Sequence, residues 1–173
     1  MDGHFTGYAS LFGVPDLGKD VVEPGAFTAS LGRRGVEGVR MLWQHDPAEP
    51  IGRWLSLAED PYGLRVEGRL NLGVQRGREI AALIEDGSVD GLSIGFRTVS
   101  ARRGRDGLRH LIAVDLWEVS LVTFPLQTGA RTAPISRQPL ADEIRSVARA
   151  LMPRAGPLPP RRPAPRPMPA LRA

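Results

Sequence analysis

The chain has 173 residues, which suffice for one compact domain with a hydrophobic core. It contains no cysteine, so disulfides, thiol nucleophiles and thiolate metal sites are excluded. Its 42% apolar and 24% charged residues are typical of soluble globular proteins. The apolar run 80–84 is too short to cross a bilayer, and the amino-terminal residues lack the pattern of a signal peptide. We therefore expect neither membrane insertion nor export.

Short segments rich in aliphatic and aromatic residues recur between Gly, Pro and Asp. They predict strands at 5–12, 39–44, 51–57, 63–70, 91–99 and 108–123. A helical turn is expected at 26–31. The helical spacing of Ile80, Leu83 and Ile84, ended by Gly87, predicts a helix over 75–86. Six or seven strands with few helices favour a mainly β fold with flanking α. We expect a small closed or nearly closed antiparallel β-barrel with two to three helices outside it.

The carboxyl-terminal part changes in composition. Apolar residues at helical spacing predict a helix over 140–152, which Pro153 ends. Residues 153–173 are rich in Pro and Arg and are predicted to form a disordered tail, so the predicted domain is 1–152. Five arginines and no acid lie from Leu151 onward, leaving 18 of the 23 basic residues against all 19 acidic ones. The formal charge of +4 therefore does not favour a nucleic-acid partner.

The segment 91–95 matches the G-x-S-x-G pattern of serine hydrolases. An α/β-hydrolase would continue into a helix, and an acid and then a histidine would follow the serine; the strand-forming residues found here exclude that fold. In a strand, Leu92, Ile94 and Phe96 would face the core, while Ser93 would lie on the outer face between Gly91 and Gly95. Ser93 would then be open to a substrate backbone. The alternative is that the glycines mark a bulge or a barrel corner beside a solvated serine.

A serine hydroxyl needs a neighbouring base near neutral pH, and a histidine with a pKa of about 6.5 can supply it. His45 follows the predicted strand 39–44 and is the best placed of the three histidines. His4 lies near the terminus, and His110 follows a basic turn. The alternative is a structural histidine capped by Asp46.

Glu118 is an acid in an otherwise apolar strand, where a carboxylate is costly unless it is paired. An imidazole is a natural partner, because a carboxylate there would fix its tautomer and stabilise its charged form. About 26 Å of strand, eight residues at ~3.3 Å each, separates His110 from Glu118, so these two cannot share a site. Asp115 would face the opposite side of the strand. The alternative for Glu118 is a salt bridge to an arginine.

Six blocks, in chain order, resemble those of the prohead (procapsid maturation) proteases of the HK97 type, a family related in fold to the herpesvirus assemblins. They are GYASLFGVPD, DVVEPGAFTASL, VRMLWQHDPAEPIGRW, DPYGLRVEGRL, GSVDGLSIGFR and LWEVSLVTFP. The resemblance implies a small β-barrel with His45 as base, Ser93 as nucleophile and Glu118 as third member of the triad. Two features depart from the family pattern: Leu126 and Gln127 stand where small residues and an Asn are common, and the tail matches no block.

The resemblance implies a serine endopeptidase that acts inside an assembling procapsid in the bacterial cytoplasm. Its substrate would be the scaffolding segment of the major capsid protein or a separate scaffold protein, and self-cleavage would accompany maturation. No metal or organic cofactor is expected. Gly91, Ile94 and Gly95 are candidates for oxyanion or substrate contacts, with an amide of the turn 102–105 as another possibility.

The apolar stripe of the helix 140–152 suits a homodimer contact or docking to the capsid lattice. Two other function classes stay open. One is a non-catalytic capsid scaffold or chaperone with the same fold. The other is a DNA-binding accessory protein, which rests on the basic tail alone.

Overall fold

The computed structural model describes residues 2–133, which contain seven strands and two helices. The strands are β1 (His4–Leu11), β2 (Asp20–Val22), β3 (Arg40–Trp43), β4 (Asp46–Glu59), β5 (Gly63–Leu70), β6 (Gly91–Arg103) and β7 (Arg109–Val122). The helices are α1 (Thr28–Arg34) and α2 (Gln75–Asp86).

All seven strands belong to one curled sheet, in the order β1-β5-β4-β3-β7-β2, with β6 also paired to β7. Residues 130–133 fill the gap between β1 and β6. On one side the Tyr8 amide donates to the Arg131 carbonyl (3.0 Å), and on the other the Leu92 amide donates to the Ala130 carbonyl (2.9 Å). The predicted mainly β, nearly closed barrel is therefore confirmed.

The sheet is mixed rather than purely antiparallel. β7 pairs in parallel with β2 near its start and with β3 near its end. Parallel strands need a crossover connection, and α1 supplies it between β2 and β3. The expectation of an antiparallel barrel was wrong for these two pairings, because α1 allows two successive strands to run in the same direction beside β7.

Several element boundaries differ from the predicted ones, although β5 and α2 have the predicted bounds. β4 begins at Asp46 instead of residue 51. The predicted start was too late because Pro47 and Pro50 are typical of a loop. The β3–β4 ladder is irregular at this point, so it tolerates residues that lack an amide hydrogen. The three-residue strand β2 was not predicted, and α1 extends beyond the predicted turn 26–31 to Arg34.

Large aliphatic and aromatic side chains fill the barrel. Phe5 packs edge-to-face on Trp54 with ring centroids 5.7 Å apart. Leu64, Leu92 and Leu116 are completely buried. The alternation of buried and exposed residues along β5 reflects the period of two that the sequence shows.

Asp115 anchors α1 to β7. Its buried carboxylate accepts hydrogen bonds from Arg33, from the Arg34 guanidinium at 3.0 and 2.9 Å, and from Trp117 Nε1 at 2.9 Å. These donors, with Arg34 first among them, hold the pKa of Asp115 well below its ordinary value. Asp115 thus serves the α1 contact and lies apart from the surroundings of Glu118, as the strand period predicts.

The predicted helix 140–152, the tail 153–173 and the boundary between them lie outside the described residues, so these stay predictions. Neither helix in residues 2–133 combines the length and apolar character needed to span a membrane.

We predict that Leu64→Ala lowers the free energy of unfolding by about 2–5 kcal/mol, because it leaves a cavity in the core. The matched control is Leu55→Ala on the neighbouring strand β4, where 42% of the side chain is exposed. There the expected change is within about 0.5 kcal/mol. Urea denaturation followed by tryptophan fluorescence measures both, and equal losses would contradict this description of the core.

Candidate active site

The hairpin turn between β3 and β4 carries His45. Trp43 pairs with Asp46, so Gln44 and His45 form a two-residue turn, and both have positive φ, 54° and 62°. Such turns match the twist of a hairpin, but usually contain Asn or Gly. Asp46 accepts a hydrogen bond from the Ala48 amide (2.8 Å) and does not cap His45.

Contacts from β7 and the residue after it hold this turn in place. The Gln44 amide donates to the Leu121 carbonyl (2.9 Å), and Gln44 Nε2 donates to Thr123 Oγ1 (2.7 Å). The His45 amide donates to Ser120 Oγ (3.2 Å). The position of the imidazole is therefore fixed by the strand that carries Glu118.

His45 and Glu118 form a hydrogen-bonded pair. Nδ1 of His45 lies 2.5 Å from Oε1 of Glu118, and the carboxylate side chain is only 12% exposed. The hydrogen bond that His45 donates to Glu118, and then the charge of Glu118, raise the pKa of His45 above the ordinary 6.5, although partial burial opposes this. Glu118 thus pairs with His45, as predicted, and no arginine within residues 2–133 forms a salt bridge with it.

Ser93 lies on β6 directly opposite Ser120 of β7. Residues paired in this way have Cα atoms about 4.5–5.5 Å apart and side chains on one face. The Ser120 hydroxyl contacts both His45 and Glu118, so the register brings all three predicted residues to one place. Ser93 is 9% exposed, and within residues 2–133 its hydroxyl has no hydrogen-bond partner.

A small cavity of about 40 Å³ lies beside Ser93. Leu126 and Gln127 line it together with Ser93, at the point where the sequence departs from the family pattern. The Gln127 side chain is buried, accepts a hydrogen bond from the Leu11 amide (2.6 Å) and donates to the Val14 carbonyl (2.8 Å). Gln127 therefore fixes the loop that forms one wall of this cavity.

The glycines on either side of Ser93 predicted open space for a substrate backbone, but neighbouring side chains lie close to Gly91 and Gly95. A Cβ atom at Gly95 would lie 2.7 Å from Cδ of Glu118, and one at Gly91 would lie 2.8 Å from Cδ of Pro125. The space beside Ser93 is thus occupied by Glu118 and Pro125. As predicted, Leu92 is buried on the other side of the strand, and Ile94 and Phe96 pack against the core.

The remaining histidines lie elsewhere, as predicted. His110 contacts Glu23 (2.7 Å) and Asp106 (3.1 Å) near the distal end of the β6–β7 hairpin, and His4 contacts Glu67 (2.8 Å). The turn 102–105 is also at that distal end, about 30 Å along β6 from Ser93. It therefore cannot supply an oxyanion contact.

The polar residues that surround His45 and Glu118 were not predicted from the sequence. Ser120 had a readable signal, since it lies two residues after Glu118 on the same strand and so shares its face. Nothing in the sequence indicated the contact between Gln44 and Thr123, because it depends on a tight turn that lacks the Gly or Asn by which such turns are predicted. Residues 2–133 contain no group of three or more His, Asp or Glu side chains arranged to hold a metal. That the site needs no cofactor stays a prediction.

We predict that Gly95→Ala displaces the Glu118 carboxylate and so lowers the pKa of His45 towards 6.5. NMR titration of the His45 ring measures this shift. The control is Gly32→Ala on α1, where an added Cβ meets no atom within 4 Å and should leave the titration unchanged. An unaltered His45 midpoint in a folded Gly95→Ala protein would contradict the proposed crowding.

Comparison with known proteins identifies relatives in tailed phages. The caudovirus prohead serine protease family matches residues 1–143. The prohead protease of Enterobacteria phage HK97 is 35% identical over 151 residues, which cover 84% of this chain and 65% of that protein. A capsid polyprotein of Pseudomonas phage PAJU2 is 33% identical over 124 residues, covering 67% of this chain and 18% of that protein. The chain thus spans less than two thirds of either relative.

Two solved structures share the fold. The capsid assembly protease of bacteriophage T4 has a TM-score of 0.60 at 16% identity, covering 70% of this chain and 82% of that one. The KSHV protease, in complex with a hexapeptide phosphonate inhibitor, has a TM-score of 0.53 at 15% identity, covering 84% and 76%. At this identity these structures support the assemblin-like barrel alone. On the family match over residues 1–143, the chain belongs to the caudovirus prohead serine proteases.

Proposed function

We propose that the chain is a serine endopeptidase that matures a phage-type procapsid, with Ser93 as nucleophile, His45 as general base and Glu118 as the residue that orients His45. The observation that carries this proposal is the 2.5 Å contact between His45 Nδ1 and Glu118 Oε1. Ser93 pairs with Ser120, which lies two residues after Glu118 on β7. A histidine paired with a carboxylate supplies the base that a neighbouring serine needs for acyl transfer. Within residues 2–133 the Ser93 hydroxyl makes no hydrogen bond that would have to break before it turns towards His45.

The carboxylate sets the protonation of the imidazole. Because Glu118 accepts a hydrogen bond, Nδ1 carries the proton and Nε2 is left to accept one from the Ser93 hydroxyl. The serine oxygen then attacks the scissile carbonyl, and His45 passes the proton to the leaving amine. Water hydrolyses the acyl-enzyme by the same route in reverse, and Glu118 stabilises the imidazolium in both stages.

Ile94 is the best candidate donor to the oxyanion. The Leu92 amide points away from β7, since it donates to Ala130. Strand period places the Ile94 amide on the same edge, beside the nucleophile and beyond the last backbone hydrogen bond that residues 2–133 make there. An amide in this position stabilises the tetrahedral intermediate by about 3 kcal/mol.

The substrate is proposed to be the scaffolding segment of the major capsid protein or a scaffold protein. Cleavage takes place inside the procapsid in the bacterial cytoplasm, and the protease also cleaves itself. The family supports this proposal, and so does the PAJU2 relative, in which the matching stretch belongs to a protein named capsid polyprotein. A homodimer or docking to the capsid lattice stays part of the proposal.

We predict that Ser93→Ala and His45→Ala each abolish cleavage when the chain is co-expressed with its capsid protein, a loss of at least about a thousandfold. Mass spectrometry of the capsid protein measures the cleavage. Ser100→Ala, an exposed position farther along β6, should cleave as the wild type does. Normal maturation in both active-site variants would indicate a non-catalytic scaffold instead.

We predict that the reaction of Ser93 with a fluorophosphonate probe falls in acid with a midpoint above pH 6.5, because Glu118 raises the pKa of His45 and only the neutral imidazole is a base. Glu118→Gln removes the charge, so the midpoint should move down towards 6.5 and the plateau rate should fall by about 100-fold or more.

The matched control for this pH profile is Glu67→Gln, which breaks the similar pair that Glu67 forms with His4 on β1. Its midpoint and plateau rate should equal those of the wild type. A Glu118→Gln profile that coincides with the wild-type profile would remove Glu118 from the proposed triad.

A further inference from the structure

The hydroxyl of Ser120 makes two hydrogen bonds within the candidate active site. Ser120 Oγ donates to Oε2 of Glu118 at 2.6 Å and accepts from the backbone amide of His45 at 3.2 Å. The residue is completely buried. No other hydroxyl within residues 2–133 hydrogen-bonds to both His45 and Glu118.

The position of Ser120 in the sheet explains this double contact. On β7 it is in register with Leu42 of β3 on one side and with Ser93 of β6 on the other. β3 leads into the turn that carries His45, and β6 carries the nucleophile. Ser120 is therefore the point where the strand of the base and the strand of the nucleophile meet the strand of the acid.

We propose that Ser120 is a positioning residue of the active site, whose hydroxyl fixes both the rotation of the Glu118 carboxylate and the backbone of His45. This inference rests on the proposed function, because it assigns the residue a role in presenting His45 to Ser93.

The two contacts act at different points. Glu118 has one oxygen on His45 and the other on Ser120, so its carboxylate cannot rotate away from the imidazole without breaking a second hydrogen bond. His45 has a positive φ of 62°, which costs energy for a residue with a Cβ. The Ser120 hydroxyl accepts the amide hydrogen of this strained residue and so stabilises the conformation that directs its ring towards Glu118.

A hydroxyl is the group that suits this position. It must donate to a carboxylate and accept from an amide at the same time, which Ser and Thr do with one small group. Alanine can do neither, and in a fully buried position it would leave two polar groups without their partner. Threonine keeps the hydroxyl and suits a strand.

The experiment compares Ser120→Ala, Ser120→Thr and the control Ser100→Ala in the full chain. One readout is the rate at which a fluorophosphonate labels Ser93, and the other is the NMR titration of the His45 ring, which needs no catalysis. For Ser120→Ala we expect labelling slowed on the order of tenfold or more and a His45 midpoint moved towards pH 6.5. Ser120→Thr should largely restore both, and Ser100→Ala should change neither.

A residue with a purely structural role would lower the thermal midpoint without moving the His45 titration. Wild-type labelling and titration in folded Ser120→Ala would therefore overturn the proposal. If Ser120→Ala does not fold, Ser120→Cys keeps the volume with only a weak donor, and the proposal then requires slower labelling and a shifted midpoint in that variant. If even the wild type is not labelled, the proposed protease function fails, while the titration still decides the role of Ser120.

Discussion

The register between β6 and β7 is the constraint on which the rest of the site depends. It sets Ser93 opposite Ser120 and Gly95 opposite Glu118, so that the smallest residue lies beside the carboxylate and the two serines face each other on neighbouring strands. A shift of one residue would turn each of these side chains to the other face of the sheet and bring Leu92 and Ile94 out of the core. Burial of those aliphatic side chains therefore stabilises the same register that assembles the site.

Much of the fold could be predicted because the sequence repeats with the period of the structure. β5 alternates between buried and exposed residues and α2 ends at a glycine with φ of 82°, so both have the predicted bounds. β2 could not be predicted, since three residues contain too little of a pattern. The parallel pairings also had no local signal. They depend on how α1 packs against β7 through Asp115, a contact between residues far apart in the sequence.

The site could be predicted for the residues whose chemistry is unusual in their surroundings. Glu118 in an apolar strand requires a partner, and His45 is the nearby group that provides one. Gln44 is an ordinary polar residue in the sequence, and Ser120 differs from one only in sharing a strand face with Glu118. The contacts of both with the turn appear when the turn and the strand are placed together. The glycines beside Ser93 leave space through their lack of a side chain, and the protein's own Glu118 and Pro125 occupy that space.

The turn at Gln44 and His45 shows how the strand that carries Glu118 determines the place of His45. Two residues with side chains at positive φ cost roughly 1–2 kcal/mol each, so this turn would not be favoured in an isolated hairpin. Three hydrogen bonds, to Leu121, Thr123 and Ser120, offset this cost at about 1 kcal/mol each. All three acceptors lie on β7 or directly after it. The strained turn is therefore stable only where β7 is in place, and the imidazole of His45 reaches its position together with the Glu118 carboxylate with which it pairs.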